Sequence, residues 1–169
     1  PSMPFSRVAD SEMETRPGDL QGREATPPVN RMLVALVALL GFAVSLYMLA
    51  YAAGLTGPVL CNVGNCEAVQ ASPYSRIMDI PVAAFGAVGY LALMGIALLG
   101  LQPRLVESRV VSGLLLGGGV VGVAFSAYLT YLEAFVIRAW CQWCVSAAIL
   151  MVLAFLFSLP ELKRMRGSS

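Results

Sequence analysis

The sequence predicts an all-α integral membrane protein, a four-transmembrane-helix bundle with a short helix in the outer loop between spans one and two. Three observations carry this. Hydrophobic residues make up 58% of the chain and charged residues 12%, against roughly 45–50% and about 25% in a soluble globular domain. Four uncharged apolar runs each reach the length, about 20 residues, that crosses roughly 30 Å of hydrocarbon as a helix. The basic residues gather on one side of those runs.

Residues 1–30 are polar, carry scattered charges and Pro27-Pro28, and show no sustained apolar period. They read as a disordered cytoplasmic tail. The first apolar run starts too late and is too long for a cleavable signal. Pro1-Ser2 before Met3, and Gly167-Ser168-Ser169, look like tag remnants. The membrane domain is expected over 31–160, and 161–169 as a basic cytoplasmic tail.

The spans read as Met32 to Ala53, Ile80 to Leu101, Val110 to Leu132 and Ala139 to Leu159. An even number of crossings puts both termini on one side. That side holds Arg7, Arg16, Arg23, Arg31, Arg104, Arg109, Lys163, Arg164 and Arg166; the other holds Arg76 and Arg138. The positive-inside rule then places both termini in the cytoplasm of a cell inner (plasma) membrane protein. Ser72-Pro73 reads as an N-cap with proline at the first helical position, so the short outer helix should start there. Pro81 marks the start of the second span. Gly113, Gly117, Gly118, Gly119 and Gly122 thin one side of the third span, which suits close helix packing within one bundle.

All four cysteines fall at the outer end of this bundle, the compartment where disulfides persist. Cys61 and Cys66 lie in a loop after Gly57-Pro58, where Gly64 and Asn65 predict flexibility. Cys141-Gln142-Trp143-Cys144 opens the fourth span. CxxC at a helix start brings two sulfurs within bridging range, and the free amides there lower the pKa of the first thiol. Cys144 lies one turn deeper, towards lipid. A loop pair that can reach both a soluble partner and Cys141 suits thiol–disulfide exchange. Two stapling disulfides would use the same residues, and four cysteines allow three pairings. A zinc site is disfavoured, because one pair sits in an apolar helix, and no metal is expected. Trp140 and Trp143 fit either an interfacial aromatic belt or a lid over a flat apolar ligand.

Several classes are excluded. The chain contains no histidine, so His-based triads and His-ligated zinc proteases are ruled out. Net charge is +1, which favours no class of partner, and the absence of aromatic-basic interleaving argues against nucleic acid. The spans lack ionisable residues and a broken repeat pair, which argues against a transporter.

These residues together resemble the vitamin K epoxide reductase family, in its bacterial branch. The likeness covers roughly 30–160. It rests on the loop pair Cys61/Cys66, on Ala71-Ser72-Pro73-Tyr74 followed by Ile80-Pro81-Val82-Ala83-Ala84-Phe85-Gly86, and on Cys141-Gln142-Trp143-Cys144. The resemblance implies a membrane thiol:quinone oxidoreductase that re-oxidises a separate, extracytoplasmic thioredoxin-like protein. By that analogy Cys61 exchanges with the partner, Cys66 with Cys141, and Cys144 faces the quinone, ubiquinone or menaquinone. Ser72 matches the family's hydroxyl position near the quinone and catalytic thiol. By depth alone, Val82, Phe85, Gly86, Trp143 and Ile149 are the pocket candidates. Animal members carry an asparagine and a tyrosine where this chain has Val82 and Ala148, which weighs against epoxide reduction. Some bacterial members carry a fused thioredoxin-like domain that this sequence lacks. The alternatives are a quinone-epoxide reductase of the same fold, or a non-catalytic membrane scaffold with two structural disulfides.

Overall fold

The computed structural model describes residues 29–167. Of the tail expected over 1–30, residues 1–28 lie outside them, and Val29 and Asn30 belong to the first helix. Four long helices form the bundle. They are α1 (Val29–Ala52), α3 (Val82–Leu99), α4 (Arg109–Tyr131) and α5 (Gln142–Ser158), with a short α2 (Cys66–Gln70) in the outer connection and α6 (Pro160–Gly167) after α5. All four long helices, with their continuations, are long and apolar enough to cross a membrane. This is a multi-pass membrane protein.

Helix α1 is central and packs along α3 and α5, while α4 closes against α5. The buried seam runs through Val34, Ala38, Tyr90, Leu93, Leu115 and Met151. Large side chains such as Leu36, Leu40, Leu91 and Leu156 stay exposed on the outer faces. In lipid those faces need no cover, and helix association depends on close packing instead. The glycines of α4 divide accordingly. A methyl group on Gly119 would meet Phe155 at 2.9 Å and one on Gly118 would meet Leu93 at 3.1 Å. Gly122 is pressed against Met151, whereas Gly113 and Gly117 face open space.

Several expectations change. The outer helix does not start at Ser72. It starts at Cys66, because Asn65 is the cap whose side chain accepts from the Ala68 amide at 3.0 Å. Ser72-Pro73 opens only a single 3₁₀ turn (Pro73–Ser75), and the Ser72 hydroxyl instead donates backward to the Val69 carbonyl at 2.7 Å. A two-residue hairpin follows, β1 (Arg76–Ile77) with β2 (Ile80–Pro81), turned by Met78 and Asp79 at φ 52° and 65°. The second span therefore begins at Val82, after Pro81, rather than at Ile80.

The third span also runs on. Beyond Tyr131 the chain widens into a π-helical stretch, Leu132–Ile137, ended by Arg138 in the left-handed conformation. That stretch contains Glu133, which is 4% exposed.

At the other end, the segment expected as a basic tail over 161–169 is helical through Gly167. Helix α6 packs on α4. Its Glu161 takes Arg31 Nη2 at 2.7 Å and Nε at 3.0 Å, Ser112 Oγ at 2.6 Å and Asn30 Nδ2 at 2.6 Å. Arg31 also donates to the Gly100 carbonyl at 2.5 Å. Both Arg31 and Glu161 are fully buried. A buried pair of this kind is tolerable only when every lone pair and proton finds a partner. Here the cluster ties α1, α4, α6 and the end of α3, and puts the starts of α1 and α6 at one end of the bundle, opposite the cysteines.

Candidate redox site

The site is built on the start of α5. Cys141 is the N-cap, in extended backbone, and its sulfur accepts from the Cys144 amide at 3.4 Å. The neighbouring Cys144 thiol is the main influence holding the Cys141 pKa below the usual thiol value. The helix-start amides of Cys144 and Trp143 act in the same direction, against burial and the Glu133 charge.

The outer loop is docked on this helix start rather than hanging free. Gln142 Oε1 accepts the amides of Asn62 and Val63, each at 3.0 Å. Trp143 Nε1 donates to the Leu60 carbonyl at 2.8 Å, and the Leu60 amide donates to the Tyr47 hydroxyl at 3.2 Å. The Tyr47 and Trp143 rings lie 5.0 Å apart. The Asn65 amide donates to the Trp140 carbonyl at 2.8 Å, and Gly64 pairs antiparallel with Cys141. Gly64 has φ 87°, and the Trp140 carbonyl occupies the space a β-carbon would need. Gly64 and Asn65 thus lock the loop onto α5, where flexibility was expected, because one admits the close approach and the other caps α2.

Cys61 and Cys66 form a disulfide, with Cα atoms 6.1 Å apart. Cys141 and Cys144 are free thiols. Cys66 is 1% exposed and Cys141 is fully buried. They share one cluster with Met48, Val59 and Val69, against which Cys61 and Cys144 pack. A disulfide and a dithiol therefore meet in one apolar nest, with Cys61 at its partly exposed edge.

Beneath lies a cavity of about 560 Å³ bounded by all four long helices and the outer connection. Cys144, Trp143, Ser72, Val82, Phe85 and Gly86 line it, as do Ala148, Tyr90 and Glu133. Ile149 does not. It is 56% exposed on the outer face of α5. Helical phase explains the difference: Ala147, Ala148 and Met151 face inward, and one residue past Ala148 turns about 100° away.

Glu133 is the residue the sequence reading missed. Its Oε2 accepts the Cys141 amide at 3.2 Å, and the Cys144 thiol lies within hydrogen-bonding reach of its carboxylate. The available signal was the apolar run Phe135-Val136-Ile137 continuing beyond it. A lone carboxylate flanked by apolar residues at membrane depth is a functional candidate by default.

Mostly helical, membrane-spanning, with a disulfide packed on a CxxC dithiol above an apolar cavity, the molecule belongs to the class of membrane thiol oxidoreductases. The chain is a member of the vitamin K epoxide reductase family, whose profile matches residues 32–159. Members are oxidoreductases of membrane thiol and quinone redox chemistry.

Proposed function

We propose that this protein is a disulfide-forming thiol:quinone oxidoreductase. It takes two electrons from a thioredoxin-like protein outside the cytoplasm and passes them through Cys61/Cys66 and Cys141/Cys144 to a quinone, ubiquinone or menaquinone. The cysteines face the outer side of the cell inner membrane, and both termini face the cytoplasm, where most of the basic residues lie.

The observation that carries this reading is the division of labour within one CxxC. Cys141 is buried beside Cys66 under the docked loop, while Cys144 opens on the cavity. Electrons entering at the loop have a short covalent route to the cavity wall. Each exchange conserves atoms. A partner thiolate attacks the accessible Cys61 sulfur, and Cys66 leaves as thiolate. The partner's second thiol closes its own disulfide and frees Cys61. Cys66 then attacks an oxidised Cys141–Cys144 bond at Cys141, and Cys144 leaves. Cys61 closes on Cys66, so the dithiol ends on Cys141/Cys144. A low pKa at Cys141 suits its role, since the thiolate is the exchanging form.

The cavity fits a flat ring with an apolar tail. Phe85, Val82 and Trp143 offer apolar contact, Ser72 offers a hydroxyl, and the volume lies in the range of small-molecule sites. A quinone bound there supplies the two-electron acceptor. Val82 and Ala148 place no hydrogen-bonding side chain in the wall, which favours simple quinone reduction over epoxide chemistry.

The test is quinone-dependent oxidation of a reduced thioredoxin-like protein by purified chain. Oxidation is expected with wild type and abolished in Cys144→Ala. Equal rates for both proteins would contradict the reading.

A further inference from the structure

Two carboxylates in the bundle are nearly sealed from water, and only one has a structural explanation. Glu161 is matched by Arg31, Ser112 and Asn30. Glu133 stands 4% exposed in the π-helical stretch, on the cavity wall that it shares with Cys144. Its partners are the Cys141 amide and the Cys144 thiol. We propose that Glu133 is the proton acceptor for the Cys144 thiol when the Cys141/Cys144 pair is oxidised.

The geometry supplies the reasons. Forming the Cys141–Cys144 bond requires the Cys144 sulfur to lose a proton at the wall of a mostly apolar cavity. The carboxylate is within hydrogen-bonding reach of that thiol and forms part of the same cavity wall. A proton acceptor must be within such reach before its pKa matters. The Cys141 amide bond, at 3.2 Å, fixes the carboxylate against the helix start. The titratable groups facing it are Cys141 and Cys144. Cys66, on the neighbouring α2, is held in a disulfide; Glu67 and Arg138 lie on the exposed surface. Tyr74 and Tyr90 line the same cavity.

The step balances. Cys141 reacts as the thiolate that is released when Cys61 closes on Cys66. The Cys144 S–H bond breaks, its proton passes to a Glu133 oxygen, and the S–S bond forms. Two electrons leave for the oxidant. On the thiol:quinone reading, on which the physiological oxidant depends, Glu133 hands its proton on into the cavity. Water supplies the second proton that a quinone needs to become the quinol.

The experiment uses the full chain in detergent, with Cys141/Cys144 reduced. It is oxidised over a range of pH by diamide or by a short-chain quinone, and bond formation is followed by quench alkylation and mass spectrometry. Glu133→Gln keeps an oxygen for the Cys141 amide but loses the proton acceptor. It is expected to slow both oxidants about a hundred-fold, the low end for a positioned acid–base group. It should also lose the rise in rate that accompanies Glu133 ionisation. Glu133→Asp should restore that rise. A Glu133→Gln profile that parallels wild type, at any rate, would overturn the assignment, as would a rise that Glu133→Asp does not restore. If diamide oxidises wild type and no quinone does, the thiol:quinone reading fails, and the diamide profiles still decide the role of Glu133.

Discussion

The two ends of the bundle solve the same electrostatic problem in opposite ways. At one end Glu161 is buried with every oxygen matched, its partners drawn from α1 and α4. At the other, Glu133 is buried against a thiol and one amide, on the wall of a cavity. The first arrangement is closed and can only hold helices together. The second leaves a carboxylate where a proton can arrive and leave. Burial alone therefore does not identify a working residue; the nature of its partners does.

The largest effect expected from this contrast is at the closed end. Arg31→Met leaves Glu161 buried without its cation and should cost about 3–5 kcal/mol. Unfolding in detergent would measure it. Arg31→Met with Glu161→Met should recover most of the loss, since no charge remains. Turnover per folded molecule should be unchanged in both. A turnover loss that outlasts recovered stability would mean that the two ends are coupled.

At the cysteine end, Gly64→Ala places a β-carbon against the Trp140 carbonyl at a positive φ. We expect about 1–3 kcal/mol of local strain, seen as faster proteolysis of the outer loop and slower exchange between Cys66 and Cys141. An unchanged cleavage rate would show that the docked loop is not held by this strand-like pairing.

The third effect is a pH dependence. The Cys144 thiol is the main influence lowering the Cys141 pKa. A lowered pKa means that the thiolate persists to lower pH, so Cys141 alkylation should have its midpoint below the roughly 8.5 of a free cysteine. In Cys144→Ala the midpoint should move up. A midpoint that stays put would assign the shift to the helix start alone.

The smallest effect belongs to Ile149. Ile149→Ala should leave turnover unchanged and stability within about 0.5 kcal/mol, because the side chain faces outward. A loss of quinone-dependent turnover would return Ile149 to the pocket.

What could be read in the sequence follows from how local each signal is. The four spans and the CxxC helix start are stretches of contiguous residues, and both were legible. Val82, Phe85, Gly86 and Trp143 sit on the cavity as depth suggests, but depth carries no rotation, so it groups Ile149 with them. Asn65 and Ser72 are both good caps by type, and the choice between them depends on the docking of the loop onto α5, which sequence does not show. Arg31 and Glu161 lie 130 positions apart, so their pairing could not be foreseen. Glu133 was missed because the uncharged run ends at Leu132, while the helix continues in a wider winding to Ile137.

In the proposed mechanism electrons flow from the loop pair to the CxxC and on to the cavity. The most direct measurement follows the redox state of each cysteine by mass spectrometry after a fully reduced chain is mixed with quinone. The account predicts that Cys141/Cys144 close first and Cys61/Cys66 afterwards, and that Cys61/Cys66 stay reduced in Cys144→Ala. Closure of Cys61/Cys66 at the wild-type rate in Cys144→Ala would contradict it.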